Sequence, residues 1–216
     1  MAVLRRGHEL GSKQPGWPYP SAQWLRQAEQ FVALDAKLPQ VLKGEAQPTD
    51  AAEQLALARL CLAKKLYGAS VRFYAAAFVR EPSHRVVLPW YQRTHDLYDA
   101  AGAAALAGCG QGQDAAPLDA KQRARLRRQA LDWLRADLTA WVKVLENEPE
   151  QARATVKQTL QHWQRDADFA GVRGDALAKL PEAERQPWQQ LWADVEQTLM
   201  KANHKDTKDT KKNRSN

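Results

Sequence analysis

The sequence predicts an all-α fold of about seven helices, arranged as stacked helical hairpins and followed by a basic, disordered tail. Three observations carry this expectation. Over residues 119–147, Leu126, Ala130, Trp133, Leu134, Leu138, Trp141, Val142 and Leu145 recur at helical steps of three and four. Between Asp50 and Pro82, small and aromatic residues alternate as two close-packed helices require. Strand formers are sparse, whereas Ala, Leu, Gln, Arg and Lys dominate and eight Trp supply large apolar bodies for helix packing.

Taken in chain order, residues 1–20 read as a short helical turn and a linker, because QPGWPYP holds three prolines and a glycine. Trp17 and Tyr19 are placed to pin that linker across the surface. Ser21 is read as the N-cap of a helix reaching about Leu38, with Trp24, Ala28, Phe31, Val32 and Leu38 as its apolar stripe. Residues 39–48, bounded by two prolines, are expected to form a loop. Asp50 and Glu53 then resemble a capping box, with Asp in the place of Ser or Thr.

The next unit, starting at Ala51, puts Leu57, Ala58 and Cys61 on one helix, and Ser70, Tyr74 and Ala77 on a second, closed by Pro82. This spacing resembles that of the tetratricopeptide (TPR) repeat, a unit of roughly 34 residues. A unit of that kind cannot bury its apolar face alone, so it implies stacking and a binding surface.

A further helix is expected over about Leu88 to Ala107, ending at Gly108, where a left-handed conformation costs glycine least. The long helix over 119–147 follows, with Arg128–Asp132 and Asp132–Arg135 one turn apart on its polar side and Pro149 ending it. Ala152, Val156, Leu160 and Trp163 mark a shorter helix. DADFAGVRGDALAKLP reads as irregular. Trp188, Leu191, Trp192, Val195 and Leu199 mark the last helix, with Pro187 at its start or in a kink. The domain reading is an N-terminal segment over 1–20, a helical domain over 21–200 and a Lys-rich tail over 201–216.

Charge and composition exclude several functions. Of the net charge of +7, the segment from Lys201 onward, with six Lys/Arg and two Asp, carries +4, which leaves +3 for the other two hundred residues. Such a polar segment reads as a solubilising tail with weak, salt-sensitive attraction to polyanions. Cys61 and Cys109 lie apart from each other and from any histidine pair, so neither a disulfide framework nor a zinc site is expected. The histidines at 8, 84, 95, 162 and 204 include no His-x-x-x-His pair. No metal and no cofactor is expected. MAVLRRGHELG has no hydrophobic run behind its charges and no stretch is apolar enough to span a bilayer, so a cytoplasmic protein without membrane partners is expected.

The stretches QPGWPYPSAQWLRQAE, GEAQPTDAAEQLALARLC, YGASVRFYAAAF, AAGAAALAGCGQGQDA, RARLRRQALDWLRADL and LPEAERQPWQQLWADV together resemble one family, the C-terminal TPR-like region of large serine/threonine protein kinases of planctomycete bacteria. The resemblance covers about residues 3–200 and implies helical hairpins that accompany a kinase domain. Where similar sequences read RYNAACAAALA, this chain has DLYDAAGAAALA, with Asp99 and Gly102 in place of Asn and Cys. A glycine inside a helix costs about 1 kcal/mol relative to alanine.

The catalytic domain itself is not expected in this chain. A kinase needs a glycine-rich loop after a strand, a strand lysine, a catalytic-loop Asp and a metal-binding DFG. GCGQG at 108–112 follows a helix. In SHRVV, His84 and Arg85 are followed by Val86 where the base belongs. Asp168-Phe169-Ala170-Gly171 carries an inserted alanine. The carboxylates Asp132, Asp137 and Glu146 are assigned to the solvated face of the long helix. The functional reading is therefore a non-catalytic protein–protein interaction module, a scaffold or peptide-binding segment associated with a kinase. Gln54, Arg59, Lys64 and Lys65 are its candidate partner contacts. The alternative is a basic helical protein that binds nucleic acid or another polyanion through Arg123, Arg125, Arg127 and Arg128.

Overall fold

A computed structural model describes residues 1–81, 96–147 and 149–203, with the side chains of Pro149 and Gln151 outside the description. Among the described residues there is no strand. They form eight α-helices: α1 (Ala2–Gly11), α2 (Ser21–Lys43), α3 (Ala51–Ala63), α4 (Tyr67–Arg80), α5 (Asp96–Gly108), α6 (Ala120–Asn147), α7 (Pro149–Trp163) and α8 (Glu182–Asn203). Two 3-10 helices, Ala167–Val172 and Gly174–Lys179, occupy the segment read as irregular. From α2 to α8 each helix packs on its sequence neighbour, and α8 also returns onto α6. No helix among the described residues is long and apolar enough to cross a membrane.

The hairpin read from the sequence forms as α3 and α4. Leu57, Ala58, Cys61, Ser70, Tyr74 and Ala77 are all fully buried. Ser70, whose hydroxyl would be costly to bury unpaired, donates to the Ala58 carbonyl at 2.8 Å across the seam. Asp50 caps α3 by accepting from the Glu53 N–H at 2.7 Å. The reciprocal arm differs from a standard capping box: the Glu53 carboxylate accepts from the N–H and hydroxyl of Thr49, at 2.7 and 2.8 Å, and pairs with Lys37 of α2.

That cap makes stability depend on acid. Burial pushes the Glu53 carboxyl up, but Lys37 and the two Thr49 donors outweigh it and hold the group at about 2, below its ordinary 4.5. A carboxyl lowered on folding contributes stability above its unfolded value, and that contribution disappears as pH falls from about 4.5 towards 2. Because the pair sits at the edge of solvent, about 1–2 kcal/mol is expected. Urea midpoints at pH 5 and pH 2.5 should converge more for Glu53→Gln than for the native chain; an equal loss in both would place the acid sensitivity elsewhere.

The core is continuous from α3 to α8. The α6 stripe is buried at Ala130, Trp133, Leu134, Leu138 and Trp141, with Leu126, Val142 and Leu145 packed at its edge. Ala152, Val156, Leu160 and Trp163 of α7 and Trp188, Leu191 and Val195 of α8 are buried as their spacing predicts. Pro187 lies inside α8, and its carbonyl accepts from Arg135 at 3.1 Å. Arg128 pairs with Asp132 at 3.1 Å, as one helical turn allows.

Helix α5 is buried at every residue from Ala100 to Gly108 and packs on α3, α4 and α6. Gly102 leaves room for the carboxylate of Asp168, which a Cβ there would approach to 3.2 Å. At Gly108 a Cβ would lie 2.7 Å from Arg127 Cγ and 2.9 Å from its backbone nitrogen, so glycine permits the closest approach of α5 and α6. Gly108 is accordingly the last helical residue and no left-handed cap; the positive φ values fall at Gly110 and Gly112.

Several expectations are corrected. The first segment is a ten-residue helix, and Trp17 packs on its Gly11. Pro20 occupies the N-cap of α2, while the Ser21 hydroxyl serves His8 Nδ1 at 2.8 Å and Trp17 Nε1 at 3.1 Å. Residues 39–43 are helical, because Leu38 and Val41 bury against Leu57, Leu60 and Cys61 and offset the hydrogen bond that Pro39 removes. Gly44, at φ 80°, ends α2. Of the stripe assigned to α2, Leu38 alone is buried, and Trp24, Phe31 and Val32 are 45–54% exposed. Helix α5 is described from Asp96, so the expected stretch from Leu88, like Pro82, His84, Arg85, Val86, His95 and residues 204–216, lies outside the described residues.

Candidate functional site

An open cleft of about 560 Å³ lies between the C-terminal half of α2 and the α3–α4 turn. Leu38, Pro39, Leu42 and Leu66 form its apolar floor, and Asp35, Lys64, Lys65 and Gln113 stand at its rim. Lys64 pairs with Asp35 at 2.8 Å. Lys65 is exposed and makes no ion pair among the described residues. It is also the one non-glycine residue there with positive φ, at 59°, as the left-handed cap that ends α3: its N–H donates to the Leu62 carbonyl at 3.0 Å and the Leu66 N–H to the Cys61 carbonyl at 2.9 Å.

The glycine-rich loop after α5 holds that turn in place. The Gln113 N–H donates to the Lys65 carbonyl at 2.9 Å. The Asp114 carboxylate accepts from Gly68 and Ala69 N–H at 3.1 and 2.8 Å, capping α4, whose N-cap Leu66 has no side-chain acceptor. GCGQG therefore leads an internal carboxylate to a helix N-terminus, the position where a phosphate would otherwise bind. Nothing local to 65–70 signals this, since the cap comes from more than forty residues downstream.

Of the four candidate partner contacts, the structure brings Lys64 and Lys65 together in the cleft. Arg59 instead grips Asp96, which is 1% exposed, through Nε at 3.1 Å and Nη2 at 2.6 Å. Burial works against the guanidinium charge there, and Asp96 outweighs it. Gln54 buries its Oε1 without a hydrogen-bond partner among the described residues.

The four arginines of α6 diverge. Arg127 is buried, donates to both Glu184 oxygens at 2.7 Å and to the Gly108 carbonyl at 2.6 Å, and is committed to the fold. Arg123, one turn earlier, lies against Gly110. Arg125 lines a smaller cavity of about 380 Å³ beside Arg72 and Asp114, and Arg128 points to Asp132 in solvent.

A second cleft of about 520 Å³ is lined by Tyr98, Asp99, Asp137, Gln158, Thr159, His162 and Trp163. Asp137, assigned to the solvated face, is buried here. Tyr98 stacks on Trp163 with centroids 5.4 Å apart and donates to Asp166. Burial first, and Asp166 second, raise the Tyr98 hydroxyl and the Asp168 carboxyl alike. The aspartate of the DFG-like stretch thus lies beside Asp166 and against Gly102. Cys61 is fully buried and its thiol is pushed up to about 12, mainly by desolvation; the Cys109 thiol is raised for the same reason. Both suit structural thiols rather than nucleophiles. No group of three or more potential ligands able to hold a metal ion occurs among the described residues.

No family model matches the chain, and neither the curated proteins nor the solved structures contain a match.

Proposed function

We propose that this chain is a non-catalytic protein–protein interaction module acting in the cytoplasm. Its hairpins are of the TPR-like type, and the resemblance of its sequence assigns it a scaffold or peptide-binding role beside a serine/threonine kinase. The observation that supports this reading is the cleft at the α3–α4 turn, where an apolar floor meets an exposed lysine that makes no ion pair among the described residues. An apolar floor with few polar groups at its rim fits a peptide side chain.

A displayed peptide library selected on the folded chain should yield binders whose affinity falls tenfold or more with Lys65→Glu, at an unchanged melting temperature. Binding should persist at moderate salt, since the floor is apolar. A selection that enriches nothing overturns the proposal. DNA binding that falls steeply with salt and ignores Lys65→Glu would replace it with the polyanion reading.

A further inference from the structure

Two helices bring guanidinium groups to one cavity. Arg72 stands one turn after Gly68 on α4, and Arg125 stands beside Leu126 on α6. With Leu118, which precedes α6, they line an open cavity of about 380 Å³ at the first turns of the two helices. Further along, Phe78 of α4 meets Trp133 of α6 at 5.7 Å, so the helices close on each other there and stand apart at their N-terminal ends.

Neither Arg72 nor Arg125 makes an ion pair or a hydrogen bond among the described residues. Other arginines nearby are committed: Arg59 to Asp96, Arg127 to Glu184 and Arg128 to Asp132. The carboxylate in the lining, Asp114, is taken up by the Gly68 and Ala69 N–H groups at 3.1 and 2.8 Å. The N-terminus of α4 is therefore already capped, and it is the two arginines that lack a partner. The excess of positive charge survives a wider count. Once Arg127 and Arg128 are set against Glu184 and Asp132, Arg72 and residues 114–128 still hold four cations, Arg72, Lys121, Arg123 and Arg125, against Asp114 and Asp119.

We propose that this cavity binds a small amphipathic carboxylate, with Arg72 and Arg125 on the carboxylate group and Leu118 and Leu126 along an apolar body. The inference goes beyond the interaction-module reading and does not depend on the cleft at the α3–α4 turn. The volume lies within the roughly 300–1,000 Å³ of small-molecule sites, which pair an apolar lining with a few polar groups. Guanidinium fits the head group, because its planar fork donates two parallel N–H bonds to a carboxylate. Two arginines and Asp114 give the lining a formal charge of +1, which matches a monoanion; a phosphate dianion would meet the like charge of Asp114 with less to offset it. The half-buried Leu118 and Leu126 select the body, since they offer a bare anion no hydrogen bond and an apolar chain a dry contact. No Ser, Thr, Cys, His or Lys lines the cavity, so the site binds and does no nucleophilic or acid–base chemistry.

The probes are octanoate and phenylbutyrate, titrated into the full chain by calorimetry and by ligand-observed NMR. Octanamide serves as the neutral isostere, and acetate and inorganic phosphate as anions without the apolar body. Binding of the probes should weaken tenfold or more with Arg72→Gln and with Arg125→Gln, and Arg72→Lys should recover only part of it, because an ammonium cannot fork. Thermal melts of these variants should match the native chain, since both arginines are exposed and unpaired. Arg128→Gln, at the neighbouring ion pair, should leave the affinity unchanged. Octanamide, acetate and phosphate should each bind at least tenfold more weakly than octanoate. Equal binding of octanamide or phosphate overturns the proposal, as does a change below twofold in both glutamine variants. Silence of both probes at millimolar concentration overturns it too. Displacement of the probes by heparin, with Arg128→Gln as damaging as Arg125→Gln, replaces the site with a polyanion surface. Each of these failures leaves the peptide-binding reading standing, because that reading is tested at Lys65.

Discussion

Trp133→Ala and Trp141→Ala are each expected to destabilise the fold by about 3–5 kcal/mol, the range for deleting a large buried side chain and leaving a cavity. Both indoles are 3% exposed and sit two turns apart on α6. Trp133 meets Phe78 of α4 edge-on at 5.7 Å, and Phe78 stacks on Tyr74 at 5.9 Å, so one truncation opens the junction of α4, α5 and α6. Tightly packed interiors relax little around such a hole. Urea denaturation followed by far-UV circular dichroism should show lower midpoints with an unchanged slope. A midpoint within error of the native value for both variants would mean that the α6 stripe is not the core of the chain.

Arg127→Met is the second large effect, expected to cost about 2–4 kcal/mol. Removing one partner of a buried ion pair leaves the other desolvated and uncompensated, at roughly 3–5 kcal/mol; the remaining exposure of Glu184 lowers that figure. The substitution also strips the Gly108 carbonyl of its donor at the buried end of α5. Arg127→Lys should recover only part of the loss, because an ammonium cannot fork to both Glu184 oxygens and still reach Gly108. Arg128→Ala, one residue on, breaks an exposed i,i+4 pair and should cost no more than about 0.5 kcal/mol. Equal effects at 127 and 128 would mean that Arg127 is a surface cation, free to meet a polyanion.

The contrast between these two arginines shows where residue order stops being informative. In KQRARLRR both look alike, since the local pattern places each on an amphipathic helix without saying what lies opposite. Glu184 and Gly108, which separate them, are 57 and 19 residues away. The cap on α4 has the same character, for Asp114 reaches Gly68 across 46 residues. The cleft was half legible: Lys64 and Lys65 follow directly from the hairpin, while Arg59 was drawn off by Asp96, 37 residues on.

On α2 the spacing was legible and its environment was not. An apolar stripe at helical period states that one face avoids water, but burial requires another element to arrive, and none covers Trp24 or Phe31 within the described chain. The end of α2 was misplaced for the converse reason. Pro39 breaks helices locally, and only the packing of Leu38 and Val41 on α3 carries the helix past it.

What the sequence determined by itself is the helical character, the two faces of α3 and α4, and the buried stripes of α6, α7 and α8, because period and small-residue spacing are local properties of the chain. The tertiary structure alone decided which cations are committed to the fold, which face of α2 remains open and where the glycine-rich loop docks. Ion pairs, caps and cover join residues tens of positions apart, and their energies arise only once helices that are locally independent have been packed together.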